Sequence, residues 1–431
     1  MRRALNLLAC LGLGIFGALR ISQAQPIDPG QNGIFTVAET SVTISNASNG
    51  HSIATKIYFP ASGNNIDPSG APYPTLVFSH GFIPIGSPTD SYTGNVMHLA
   101  SWGYIVALPS FGDALSGDNL TPRISDVRAV LVYLESANAN SASPFYQRID
   151  TTRFGIIGHS LGGMSSLDVA GQDPRVKAVV ALDPAGASGM SFGSASVQAT
   201  ATYTDLTTIT GATLIVGAAS SLCNNNAEYN AMYTDVGAEH KAKPVVANGS
   251  HCDFLDPSDT TYRNLCYSFC GGGSFNADRL TLAKKLSVAW FNYYLKEQSS
   301  QFTYLYGTNI NQDLQAGKLS NHTFQTMPRG FTASAGFNAV NLSWQLSSYA
   351  VIQGYNLYRS TTSGNYPAPP STQVGRQANH ADSGVAPGTR YFYILQSRDA
   401  SGNEHQSSLE ASAIPLNSAD AIPCYLPYIT K

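Results

Sequence analysis

Between residues 36 and 297 short apolar runs alternate with longer stretches of helical periodicity. Buried strands are predicted at 73–79, 104–108, 154–157, 178–182, 213–217 and 244–247. These runs are too continuously apolar for a strand with one wet face, so both faces should be covered. Helices are predicted between them at 92–101, 124–136, 161–171, 225–233 and 276–295. The last places Leu280, Ala283, Leu286, Ala289, Trp290 and Tyr293 on one face. Strands that alternate with amphipathic helices predict an α/β domain with a largely parallel sheet.

The pattern changes after a polar transition at 301–329. Val340-Asn-Leu-Ser-Trp344, Tyr355-Asn-Leu-Tyr358 and Tyr391-Phe-Tyr-Ile-Leu395 alternate with period two, and turn signals such as Pro387-Gly388 separate them. Short strands without helices predict a β-sandwich. On Trp344, Gly354-Tyr355 and Val385-x-Pro387-Gly388-Thr389-x-Tyr391 this stretch resembles a fibronectin type III domain. That resemblance implies that Tyr391 is the packing tyrosine of the sandwich corner. The expected layout is a leader at 1–24 and a catalytic domain at 25–325, with a linker from about 300. The sandwich then occupies 326–415, and a tail of unread function 416–431. No Arg-Gly-Asp occurs, so the module is expected to be a spacer or brace, with contact to a surface or polymer as the alternative.

The chain has 431 residues, 43% hydrophobic and only 12% charged, with a net charge of −3. A sizeable core is expected, and the charge balance gives no footprint for nucleic acid or an anionic membrane. Arg2 and Arg3 precede an apolar run at 4–19, and Ser22-Gln23-Ala24 follows. This is the layout of a secretory signal cleaved after Ala24. The run is short for a membrane span. A lipoprotein-like box at Leu7-Leu8-Ala9-Cys10 would leave too short an apolar region before it. Export makes disulfides the expected state of Cys223, Cys252, Cys266 and Cys270, with Cys424 left over. Cys223 and Cys252 follow successive strands and are expected to pair, which leaves Cys266 with Cys270. Zinc held by His251, Cys252, Cys266 and Cys270 is the weaker reading, because no Cys-x-x-Cys occurs.

Gly158-His159-Ser160-Leu161-Gly162 sits between a predicted strand and a predicted helix. A nucleophile elbow needs that setting: a serine on a tight turn, small residues two before and two after, and a helix N-terminus beyond. The strand at 73–79 ends in His80-Gly81-Phe82, where the second oxyanion donor is expected, so the main-chain N–H groups of Phe82 and Leu161 form the candidate hole. His251 follows the last core strand and is the candidate base. Of the other histidines, His80 and His159 flank the oxyanion and elbow segments and are expected to orient loops. His51 and His98 fall early, and His240 ends a polar helix before the last core strand. His322, His380 and His405 fall in the linker or the sandwich. The loop after 213–217 holds no carboxylate up to Asn226, so Asp183, at the end of the preceding strand, is the candidate acid. Phe82, Tyr92 and Phe111 are candidates for an aromatic acyl wall. No metal or organic cofactor is called for.

Val77-Phe78-Ser79-His80-Gly81, Leu99-Ala100-Ser101-Trp102-Gly103-Tyr104, Gly158 to Gly163 and Ala181-Leu182-Asp183 resemble the α/β-hydrolases grouped with platelet-activating-factor acetylhydrolase and chlorophyllase. Cutinase-like esterases belong to the wider set. The resemblance covers about 36–297 and implies a secreted serine carboxylester hydrolase acting on a lipid, small acyl ester or polyester. A serine peptidase on the same fold, or a cell-surface binding protein with a relic hydrolase domain, are the rival expectations.

Overall fold

The computed structural model describes residues 27–417, apart from 83–88, 113–119, 186–189, 193–194, 198–203, 220, 225–226, 272, 327, 348–351, 400–401 and 403. The expected leader, Cys10, Cys424 and all but the first two residues of the expected tail lie outside the described residues. No described helix is long and apolar enough to cross a membrane.

Nine main strands form one sheet: β1 (Val37–Asn46), β2 (His51–Ser62), β3 (Tyr73–Ser79), β4 (Ile105–Pro109), β5 (Ile149–His159), β6 (Val176–Leu182), β7 (Ala212–Val216), β8 (His240–Val246) and β9 (Leu319–Thr326). Their order is β1-β2-β4-β3-β5-β6-β7-β8-β9. The six strands from β4 to β8 run parallel. The outer strands β1, β2 and β9 pair antiparallel. All of β3 is buried, and its side chains divide between two cores, as a pleat of period two requires. Leu76 and Phe78 join the cluster under α1 (Thr93–Ser101), while Tyr73 and Val77 join the cluster under α2 (Leu120–Ala139) and α3 (Leu161–Gln172).

The remaining helices are α4 (Tyr229–Asp235), α5 (Thr260–Phe269), α6 (Ala277–Tyr294), α7 (Phe302–Leu305) and α8 (Thr308–Gln315). At the start of α6 the Asn276 side chain accepts from the N–H groups of Asp278 and Arg279, satisfying donors that the helix leaves open. Leu280, Ala283, Leu286, Ala289 and Trp290 are buried along it, as the spacing predicts. The polar stretch read as a transition carries α7, α8 and β9, so the sheet reaches further along the chain than its apolar runs indicate.

Beyond β9 lie two antiparallel sheets. The first joins β10 (Arg329–Gly336), β11 (Ala339–Gln345) and β14 (Asn379–Asp382). The second joins β12 (Ile352–Ser360), β13 (Thr372–Gly375), β15 (Tyr391–Asp399), β16 (Glu404–Ser407) and β17 (Ala411–Ala413). Val340, Leu342 and Trp344 alternate inward from β11. The Trp344 ring meets Tyr355 of β12 at 5.4 Å, which packs one sheet on the other. The Tyr391 hydroxyl accepts the Ala386 N–H at 3.0 Å. The apolar cluster under α1 and α6 continues into this module through Leu319, Val340 and Trp344.

Candidate active site

Ser160 stands between β5 and α3 with φ 56° and ψ −125°, a backbone conformation that side chains rarely accept. Close packing imposes it. A Cβ built on Gly162 would lie 2.0 Å from the Ser79 carbonyl oxygen, and one on Gly158 would lie 2.2 Å from the Gly162 oxygen. Only hydrogen fits at either position. The turn is held further by the Ser160 N–H donating to the Leu182 carbonyl at 3.0 Å.

Three side chains predicted from separate segments converge here. His251 Nε2 lies 2.9 Å from Ser160 Oγ, and His251 Nδ1 lies 2.6 Å from Asp183 Oδ2. All three are buried, Asp183 completely. The other carboxylate oxygen of Asp183 accepts from the Ala218 N–H at 3.1 Å and from Asn224 Nδ2 at 2.8 Å. With Nδ1–H donating to Asp183, the Nε2 lone pair of His251 faces the serine hydroxyl.

His251 opens a single 3₁₀ turn, His251–Phe254, capped by Ser250. Asp253 secures that turn. It accepts the Ser250 N–H at 2.7 Å, the Tyr267 hydroxyl at 2.7 Å, the Asn276 N–H at 3.2 Å and Arg279 Nη1 at 3.0 Å. Its carboxylate therefore serves the loop.

The expected disulfide pairing is corrected. The bridges are Cys223–Cys270, with Cα atoms 4.9 Å apart, and Cys252–Cys266, at 5.9 Å. Cys266 lies on α5 and Cys270 caps its end. Four residues apart on a helix, the two side chains point along one face and keep their Cβ atoms too far apart to join. Each instead reaches a different loop, and their sulfurs stay 3.7 Å apart without bonding. Cys252, Cys266 and Cys270 thus cluster, but as disulfides they offer no thiolate to zinc.

Tyr92 and Phe111, expected with Phe82 to wall an acyl pocket, are both buried. Tyr92 is completely buried. Its hydroxyl accepts the Gly81 N–H at 2.9 Å and donates to His159 Nδ1 at 2.7 Å. His159 Nε2–H donates in turn to the His251 carbonyl at 2.9 Å. Burial, and then the neighbouring His251, push the His159 pKa well down, so the ring stays neutral and fits both bonds. Phe111 packs against both the His80 ring and the Arg123 guanidinium. Phe82 is buried, its carbonyl accepting from the Tyr262 hydroxyl at 2.6 Å. Leu161 is the first residue of α3 and is also buried.

The sequence does not mark Tyr92 as a bridge, nor Asn224 or Arg123, and offers Asp253 only as an alternative acid to Asp183. For Arg123 a signal existed. It sits three, four and seven positions from Leu120, Val127 and Val130, on the apolar stripe of α2.

A parallel sheet flanked by helices on both faces, with a serine elbow after β5, defines an α/β hydrolase. Residues 29–320 match the model of the PET hydrolase-like family, and the chain belongs to that family. It is similar to the cutinase est1 of Thermobifida alba, with 29% identity over 128 residues, covering 30% of this chain and 38% of that protein. A cutinase of Thermobifida fusca (strain YX) is 26% identical over 198 residues, 43% of this chain and 60% of the relative. A 94-residue stretch is 34% identical to part of the amylopullulanase of Thermoanaerobacterium saccharolyticum, covering 22% of this chain and 7% of that protein. The matches thus span less than two thirds of each of these relatives.

Proposed function

We propose that this chain is a secreted serine hydrolase that cleaves carboxylic esters through an acyl-enzyme. The observation that carries the reading is the continuous series Ser160 Oγ, His251 Nε2, His251 Nδ1 and Asp183 Oδ2, with distances of 2.9 and 2.6 Å, on a strained elbow. Ser160 Oγ attacks the ester carbonyl carbon while its proton passes to His251 Nε2. Asp183 holds the imidazole in the receptive tautomer and offsets the imidazolium charge. The Phe82 and Leu161 N–H groups bind the oxyanion of the tetrahedral intermediate. Its collapse breaks the bond to the alcohol oxygen, which leaves with the proton from His251. Water, deprotonated by the same imidazole, then attacks the acyl-serine and releases the acid.

Polyesters and small acyl esters are the proposed substrates, supported by membership of a PET hydrolase-like family and by the similarity to proteins named cutinases. The leader pattern and the two disulfides support export to an oxidising compartment. The module from about 326 is read as a fibronectin type III domain that braces or spaces the catalytic domain, or contacts a polymer surface. Its two packed sheets and the bond from Ala386 to Tyr391 support that reading.

The test is Ser160→Ala and Asp183→Asn on a series of p-nitrophenyl esters of rising acyl length and on a polyester film. Ser160→Ala should abolish turnover, and Asp183→Asn should lower kcat by about 10⁴. Wild-type turnover in Ser160→Ala would remove the elbow from the reaction.

A further inference from the structure

Arg123 is 1% exposed inside α2, where the neighbouring positions of its stripe are apolar. A helix packed on a sheet gains nothing from a guanidinium there, and desolvating one is costly unless its donors are matched. Arg123 spends those donors on the loop after β3. Nη1 donates to the His80 carbonyl, and Nη2 donates to the Gly81 carbonyl at 3.0 Å. The Gly81 carbonyl is also held by His80 Nδ1 at 2.6 Å, while His80 Nε2 accepts the Phe111 N–H at 3.0 Å. The N–H of Gly81 is fixed separately, by the Tyr92 hydroxyl at 2.9 Å.

Gly81 borders the nucleophile, since a Cβ built on it would lie 3.4 Å from Ser160 Cβ. The bond from Gly81 to Phe82 is trans, so the Gly81 C=O and the Phe82 N–H point in opposite directions. Pulling that carbonyl toward α2 therefore turns the next N–H away from α2.

We propose that Arg123 is a positioning residue for the oxyanion hole, holding the Gly81 carbonyl so that the Phe82 N–H meets the carbonyl oxygen of an ester bound at Ser160. The inference rests on the ester-hydrolase reading above. Arg123 touches no reacting atom; it presets a donor that would otherwise have to reorient during the reaction.

The test uses the full chain carrying Arg123→Met or Arg123→Lys. Active sites are counted by exhaustive fluorophosphonate labelling. The assays follow p-nitrophenyl ester hydrolysis and inhibition by phenylboronic acid, which forms a tetrahedral anionic adduct on a serine. Arg123→Met should lower kcat per titrated site about 10²-fold, the scale of one lost oxyanion donor. KM should stay within threefold, and the boronate inhibition constant should rise in step with the loss of kcat. A purely structural role would lower the melting temperature and the titrated fraction and leave kcat per site alone. Arg123→Lys keeps the buried cation but cannot fork between two carbonyls, and should lose about tenfold in kcat at constant KM. It decides the matter if the Met variant does not fold. Either variant holding kcat per site and boronate affinity within threefold of wild type overturns the role of Arg123. Full activity in Ser160→Ala would overturn the ester-hydrolase reading itself, whatever the Arg123 variants show.

Discussion

The two loops that meet over Ser160 are held in place by different means. The elbow is held by packing of its own backbone: glycines at 158 and 162 let β5, α3 and β3 approach to distances that no Cβ tolerates. The loop of His251 has only a four-residue 3₁₀ turn of its own. It is held from outside, by the Cys252–Cys266 bridge to α5 and by Asp253 bonding to residues from α5 and the start of α6. One half of the site is thus fixed by local sterics, and the other by long-range cross-links. Damage to the first should be abrupt, and damage to the second graded.

Gly162→Ala attacks the local half and should have the largest effect. Its Cβ meets main chain, which cannot swing aside as a side chain can. A shift of about 1 Å in the nucleophile costs on the order of 10²-fold in rate, and stability should fall by roughly 3–5 kcal/mol. Urea unfolding alongside ester turnover measures both. A fully active, fully stable Gly162→Ala protein would show that the elbow is not under steric constraint.

Replacing Cys252 and Cys266 together by serine loosens the other half. About 2–3 kcal/mol of stability should be lost, and kcat should fall about tenfold while the chain still folds. Asp253, bonded to Tyr267, Asn276 and Arg279, keeps the loop near its place. The discriminating measurement is the temperature dependence of kcat, which should steepen in the variant and not in the wild type. A loss as large as that of Gly162→Ala would erase the contrast between the two halves.

The smallest effect on turnover is expected from deleting residues 327–431, which touches neither loop. Hydrolysis of a soluble ester should stay within threefold. The melting temperature should fall by several degrees, because the cluster under α1 and α6 continues into the module past Leu319. An unchanged melting temperature would show that this continuity adds no stability.

The same contrast explains what could be read from the chain. The core strands, α3 and Ser160 were legible because a buried strand, a tight turn and a helix start each mark neighbouring residues. Asp183 and His251 were legible by their place at strand ends. Residues 301–326 were not, since β9 is an edge strand whose polar, alternating sequence lacks the apolar run of a central strand. The disulfide pairing was misread because α5 falls between the predicted helices at 225–233 and 276–295, in a short polar segment not read as helical. Without that helix nothing shows that Cys266 and Cys270 share a face. The bridging role of Tyr92 was not legible, because a sequence displays its aromatic surface and not the partners of its hydroxyl.

The two bridges are nested, Cys223–Cys270 enclosing Cys252–Cys266. During synthesis the chain emerges N-terminus first, so Cys252 reaches Cys223 before either native partner exists. Oxidation in order of arrival would join those two and leave Cys266 facing Cys270 on a helix that cannot close the pair. The yield of correctly joined protein then depends on how well early bonds are reshuffled, and not only on how readily they form.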